Sequence, residues 1–219
     1  MIKNSVSNRN WILSKFDENK VKKATQELGI SEVLCRLLAI RNVEADQSLV
    51  FLNPKIKNSM PNPFLLKSMD EAVKLIIKHI KEESHICIYG DYDVDGASST
   101  SILARFLRNF TNNFFIFIPD RIQDGYGPNL KIFEDIASKG VKLIITVDCG
   151  TTSFEPIEYA KSKNIDVVVI DHHQSTETLP IANAIVNPNR FDETSDLTYL
   201  CAAGVAFLVL SAIVTRLRE

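Results

Sequence analysis

The sequence predicts an α/β fold: a parallel β-sheet with helices on both faces, preceded by a mainly helical N-terminal segment. Three observations carry this. From His85 onward, nearly all-apolar runs (HICIY, FFIFI, KLIITV and DVVVI) alternate with helical segments about three turns long. Strands apolar on both sides and separated by helices belong to sheets covered on both faces. Before His85, apolar residues recur at helical spacing instead.

Taken in order, DENKVKKATQELG and SEVLCRLLAIRN each open on an Asp or Ser suited to capping a helix. FLNPKIKNSMPNPFLL carries Pro54, Pro61 and Pro63, which break regular structure and predict a connector. SMDEAVKLIIKHIKEE is amphipathic, with Ser68 and Glu71 at capping-box spacing. The helices between the strands are ASSTSILARFLRNF, PNLKIFEDIASKG and SFEPIEYAKSKN, and NAIVN offers one more strand before a terminal helix.

Composition bounds the chemistry. At 219 residues the chain can bury a real core, and 45% hydrophobic with 24% charged residues is ordinary for a globular protein. The formal charge of −2 gives no electrostatic sign of a polyanion partner, so a nucleic-acid role needs a local basic groove or one supplied elsewhere. Cys35, Cys87, Cys149 and Cys201 lie far apart without a CxxC pair, which reads as a reduced cytosolic chain. Residues 1–16 lack the apolar core of a signal peptide. The longest apolar run, from Leu200 to Val214, is shorter than the roughly 20 residues a membrane span needs, and predicts a buried helix.

The chemistry concentrates at strand ends, where open α/β sheets bind ligands. HICIYG runs into Asp91, Asp93 and Asp95; KLIITV ends in Asp148-Cys149-Gly150; DVVVI ends in Asp171-His172-His173. Extended backbone at DYDVD would send the three alternate carboxylates to one face, a crowd that needs a cation. Several carboxylates with one or two imidazoles suit Mn²⁺ or Mg²⁺ better than structural zinc, and so many acidic groups at one rim suggest two ions. GASST and GTTS follow the acidic turns, either as simple caps or as helix N-termini that favour a phosphate. Arg121 and Tyr126 in DRIQDGYG are candidates to meet a phosphate and stack on a base, with a plain exposed turn as the alternative. Cys149 reads as a small buried side chain.

DYDVDG, VDCG and DHH, in that order, resemble the motifs of the DHH phosphoesterase superfamily. IYGDYDVDGASSTSIL and ITVDCGTTS resemble in particular its RecJ family of bacterial single-strand-specific 5′→3′ exonucleases. So do WILSKF, LLAIRNVEADQSLVFLNP, PNPFLLKSMDEAV, PDRIQDGYGPN, AIVNPNR and LCAAGVAF. Asp124 stands where that family usually has Glu, and Ala203 where it often has Gly or Val.

The resemblance implies metal-dependent hydrolysis of single-stranded DNA, in repair and recombination, in the cytoplasm and with no membrane partner. It implies Mn²⁺ or Mg²⁺ in a two-ion site. Asp93 and Asp148 would hold one ion, with Asp91 a candidate further ligand; Asp95, Asp148 and His172 would hold the second. His173 would face the scissile phosphate, and Asp171 would orient an imidazole, with a strand-end cap as its alternative. By the same resemblance a helical segment covers 1–66 and the phosphoesterase domain 67–219. The sequence stops before the family's Gly-Thr-x-Ala-Asp element. The expectation is therefore a domain truncated at its C-terminal end and weakly active alone. The missing half would be a candidate partner chain, and the 200–214 helix would be short of cover. The alternatives are a phosphodiesterase for short oligonucleotides or cyclic dinucleotides, and a non-catalytic scaffold of this fold.

Overall fold

The computed structural model describes residues 3–4, 6–7 and 9–218. The reading of residues 1–16 as lacking a signal-peptide core rests in part on residues 1, 2, 5 and 8, which lie outside the described residues. The chain forms two compact units, Met1–Pro61 and Asn62–Glu219.

In the first unit, β1 (Lys3–Asn4) pairs antiparallel with β2 (Asn10–Trp11). Helices α1 (Glu18–Leu28), α2 (Glu32–Ile40), α3 (Ala45–Leu52) and α4 (Ile56–Ser59) follow. Asp17 caps α1 by accepting from the Asn19 and Lys20 N–H groups, and Gly29, at φ 65°, ends it in the left-handed conformation glycine adopts without cost. Ser31 caps α2. Val21, Cys35 and Leu38 are buried. The connector begins later than the prolines suggested: Phe51 and Leu52 complete α3, and the break comes at Asn53, just before Pro54.

The second unit opens with a short 3₁₀ turn at Pro63–Leu65 and helix α5 (Met69–Lys81). The predicted capping box is not made. Ser68 sits at φ 60° with no side-chain cap bond, because its hydroxyl accepts from the Arg190 guanidinium at 3.0 Å. Then come β3 (Ile86–Tyr89), α6 (Val94–Leu107), β4 (Phe114–Phe117), α7 (Leu130–Ser138), β5 (Leu143–Val147), α8 (Phe154–Ser162), β6 (Asp166–Ile170), β7 (Ala184–Val186) and α9 (Ala202–Arg218).

The strands lie in the order β4-β3-β5-β6-β7, every pairing parallel. The fold is thus the predicted parallel α/β sheet, with NAIVN supplying the fifth strand. Alternation along β3 sends Ile86 and Ile88 into a core with α5, α6 and α9. It sends Cys87 and Tyr89 into a second core with α7 and α8. Each fully buried Ile, Leu or Val contributes roughly 1.5–3 kcal/mol, so residues such as Ile76, Ile88, Leu103 and Ile145 fix the layers firmly. Helix α9 is not left bare: Val205, Ala206, Leu208, Val209, Ala212 and Ile213 are buried in the first of these cores. Among the described residues, no helix is long and apolar enough to cross a membrane.

Because all five strands run the same way, their carboxyl ends share one rim. The chain leaves β3 toward β4 on one side, whereas β5 continues the sheet on the other. The β3/β5 boundary is therefore a switch point, where two loops diverge and leave a crevice.

Candidate metal centre

Asp91 follows β3 and Asp148 follows β5, so the two flank this crevice. The route between β3 and α6 differs from the extended run the alternation suggested. The strand ends at Tyr89, and Asp93 already caps α6, its Oδ1 accepting from the N–H groups of Asp95 at 2.9 Å and Gly96 at 3.0 Å. A strand–turn–helix path, not strand alternation, brings the carboxylates together. Glycines make the tight path feasible. A Cβ on Gly90 would stand 2.1 Å from Thr100 Oγ1, and one on Gly96 would stand 2.6 Å from the Asp91 carbonyl oxygen.

Asp91 is buried, and its Oδ1 has no hydrogen-bond partner. Burial, with the neighbouring charge of Asp93, pushes its carboxyl above the usual range. Asp93 is exposed, and the Gly96 amide above all holds its carboxyl low. Asp148 is buried with φ 62°, a left-handed conformation that costs a non-glycine residue roughly 1 kcal/mol and is kept here by the turn into Gly150. Its Oδ1 likewise lacks a hydrogen-bond partner. Burial first, then the charges of Asp95 and Asp93, push its carboxyl up to about 8.

Around Asp148 Oδ1 stand His172 Nε2 at 3.3 Å and His173 Nδ1 at 4.0 Å. The ligand atoms of Asp91, Asp93 and Asp148 lie within 4.8 Å of one another, as do those of Asp148, His172 and His173. Asp148 is common to both groups. Asp95 stands beside them: its Oδ2 is 3.6 Å from His172 Nε2, while both its oxygens accept backbone N–H groups from α9, Ala202 at 2.7 Å and Ala203 at 2.8 Å.

Asp171 is buried and does not face the crevice as a free carboxylate. Its Oδ1 accepts from the His172 and His173 N–H groups and from His173 Nδ1 at 2.8 Å, and its Oδ2 accepts from the Thr151 N–H at 3.0 Å. Burial alone would raise its carboxyl, but the bonds from His173 and Thr151 outweigh that and hold it down to about 2. The same bond is the main cause that raises His173, favouring imidazolium.

Of the two candidate substrate contacts, Tyr126 touches the cluster, and Arg121 stands close enough for its charge to act on Asp91. The Tyr126 hydroxyl lies 3.3 Å from the His173 ring nitrogens and from the Asp148 carbonyl oxygen. The Arg121 guanidinium lies over the Tyr92 ring, 5.3 Å from its centroid. Cys149 is buried, and burial pushes its thiol well up.

Sequence reasoning missed the supports of the His-His turn. Asn187 Nδ2 donates to Thr151 Oγ1 and to the His173 carbonyl, and Asn189 Nδ2 donates to the His172 carbonyl. The asparagines of VNPNR were the available signal. It also missed Phe154, which with Tyr126, Gly150 and His173 lines a cavity of about 470 Å³ beside the cluster.

The donors present fit a hard divalent cation. They are oxygens and imidazole nitrogens, and two buried carboxylate oxygens, on Asp91 and Asp148, carry no hydrogen bond. A cation there would supply the partner those oxygens lack and offset the charge that forces Asp148 toward its neutral form.

Comparison with known proteins gives this geometry its relatives. The family described as "DHH family, N-terminal domain" matches residues 85–218. The single-stranded-DNA-specific exonuclease RecJ of Bacillus subtilis is 36% identical over 214 residues, covering 97% of this chain and 27% of its own length. That of Escherichia coli is 36% identical over 188 residues, covering 85% and 32%. Among solved structures, exonuclease RecJ bound to manganese superposes with a TM-score of 0.64 at 33% identity, over 69% of this chain and 38% of that one. RecJ of Thermus thermophilus with Mn²⁺ gives 0.74 at 26% identity, over 94% and 28%. The chain spans about a third or less of the length of these curated relatives. With the matched region running from the start of β3 to the end of α9, the chain belongs to the DHH family.

Proposed function

We propose that the crevice at the β3/β5 boundary is the divalent-metal site of a phosphodiester hydrolase of the RecJ type, acting on single-stranded DNA from its 5′ end. A cytoplasmic setting follows from that substrate. The observation that carries the proposal is the pair of ligand groups meeting at Asp148, whose buried Oδ1 has no hydrogen bond. The RecJ relatives solved with Mn²⁺ and Mg²⁺ support the choice of ions.

Asp91, Asp93 and Asp148 would hold one cation, and Asp148 with His172 the other, with Asp95 and His173 at the margin of the second. When bound, such ions neutralise charge on the phosphodiester and make water more acidic. The chain's own residues do the rest. Asp171, ionised at every physiological pH, accepts from His173 Nδ1, which fixes the ring and leaves Nε2 to carry the exchangeable proton. An imidazole favoured as imidazolium can neutralise the scissile phosphate or protonate the leaving oxygen. The Tyr126 hydroxyl, 3.3 Å from both ring nitrogens, adds a second hold on the ring. Tyr126 and Phe154 offer flat apolar surface for a base beside the cluster.

The test is digestion of a 5′-labelled single strand with Mn²⁺, beside Asp148→Ala and a dinucleotide substrate. The proposal expects Mn²⁺-dependent release of mononucleotide from the single strand, abolished in the variant. Hydrolysis confined to the dinucleotide would replace it with the short-oligonucleotide reading. Hydrolysis that survives Asp148→Ala would place the chemistry elsewhere.

A further inference from the structure

Helix α9 begins without a cap of its own. The residues before it are Tyr199, Leu200 and Cys201, none with a side chain of the Ser, Thr, Asp or Asn kind that usually accepts the first free N–H groups. Asp95, in the first turn of α6 and more than a hundred positions earlier, accepts two of them. Its Oδ2 takes the Ala202 N–H at 2.7 Å and its Oδ1 the Ala203 N–H at 2.8 Å.

The same Oδ2 lies 3.6 Å from His172 Nε2, which is 3.3 Å from the unbonded Asp148 Oδ1. One carboxylate therefore touches a helix end on one side and the metal-site cluster on the other. The positive end of a helix stabilises a carboxylate placed against it. Asp95 is thereby balanced with no cation present, whereas the Asp148 Oδ1 and the Asp91 Oδ1 have no comparable partner.

We propose that Asp95 is a positioning residue that clamps the start of α9 to the acidic site. The clamp orients the carboxylate toward His172 and Asp148, so that cation binding at this side depends on the α9 amides. The cation half of this inference rests on the metal-site reading above. The clamp itself does not, since both hydrogen bonds are made without an ion.

Amide hydrogen exchange on the full chain, first without metal, reads the clamp directly, because the first amides of a helix have no partner within it. In Asp95→Ala the amides of Ala202 and Ala203 are expected to exchange about tenfold faster, the equivalent of a lost cap. In His172→Ala, which loses a cluster residue but neither hydrogen bond of the clamp, they are expected to stay as in the wild type. Unchanged protection of Ala202 and Ala203 in Asp95→Ala would overturn the clamp.

Calorimetric titration with Mn²⁺ reads the second half. Ala202→Pro removes the amide facing Oδ2 at the helix position that tolerates proline best, and leaves every candidate ligand in place. Its Mn²⁺ affinity is expected to fall about tenfold, as when the outer support of a ligand is lost. Wild-type affinity in Ala202→Pro would overturn the coupling. No Mn²⁺ binding by the wild type would overturn the metal-site reading and the coupling with it, while the exchange result still decides the clamp.

Discussion

Asp148 carries a large electrostatic cost, and its sign can be worked through. Its carboxyl is raised from 3.8 to about 8 in the folded chain, so the folded state holds that proton more tightly than the unfolded state does. Without a cation, stability must fall as pH climbs through this window, and the cost is complete above about pH 8. Asparagine cannot ionise and escapes it. In chelator at about pH 8, Asp148→Asn is therefore expected to unfold roughly 4–8 °C above the wild type, a gain of about 2 kcal/mol. At about pH 4, where the unfolded carboxyl also binds its proton, the two should unfold nearly together. Scanning calorimetry at both pH values checks this, and a variant less stable than the wild type at pH 8 would contradict it.

Asp171 has the opposite character. Its ionised form raises His173, so Asp171→Asn is expected to shift the His173 titration to lower pH, read from the imidazole carbon-bound proton by NMR. An unmoved titration would mean that Asp171 serves only as a strand-end cap. At this scale the sequence showed much of what the site is made of. Asp91, Asp93, Asp148, His172 and His173 meet where apolar strands run out, and that coincidence is visible in the residues alone. The α9 partners of Asp95 were not legible, because they are backbone N–H groups of two alanines. Nothing in an alanine's identity announces a hydrogen bond to a carboxylate a hundred positions away.

Among the elements, the strand–turn–helix from β3 to α6 decides the geometry. The sequence placed the strand well but carried its extended backbone too far. The helix begins at Val94 because Asp93 is both a candidate ligand and a strong N-cap. Its tightness rests on Gly96, whose missing side chain leaves room for the Asp91 backbone. Gly96→Ala forces that loop to move and is expected to cost about 1–3 kcal/mol, with Mn²⁺ binding weakened because Asp91 and Asp93 are displaced together. Urea unfolding and metal titration of one preparation would check both, and a stable variant with wild-type metal affinity would contradict the account of the turn. Of the elements the sequence read best, HICIY, KLIITV, DVVVI and NAIVN are buried on both faces, which leaves little choice of residue, whereas the edge strand FFIFI is only partly buried. Ser68 was misread because a remote guanidinium, Arg190, competes for its hydroxyl.

At the scale of the whole molecule, every candidate ligand lies in the unit Asn62–Glu219, and its cores are built from that unit's own helices and strands. That unit produced alone is expected to fold cooperatively and to bind Mn²⁺ within about twofold of the full chain, as a compact domain should. A large loss of affinity on removing Met1–Pro61 would show that the first unit contributes to the site.

The central claim is that Asp148 joins two ligand groups into one divalent-metal site. Titration of the chain with Mn²⁺ in the calorimeter, wild type beside Asp148→Asn, tests it most directly. The expected result is saturable binding by the wild type, weakened about 100-fold or more in the variant. Equal binding by the two proteins would contradict it.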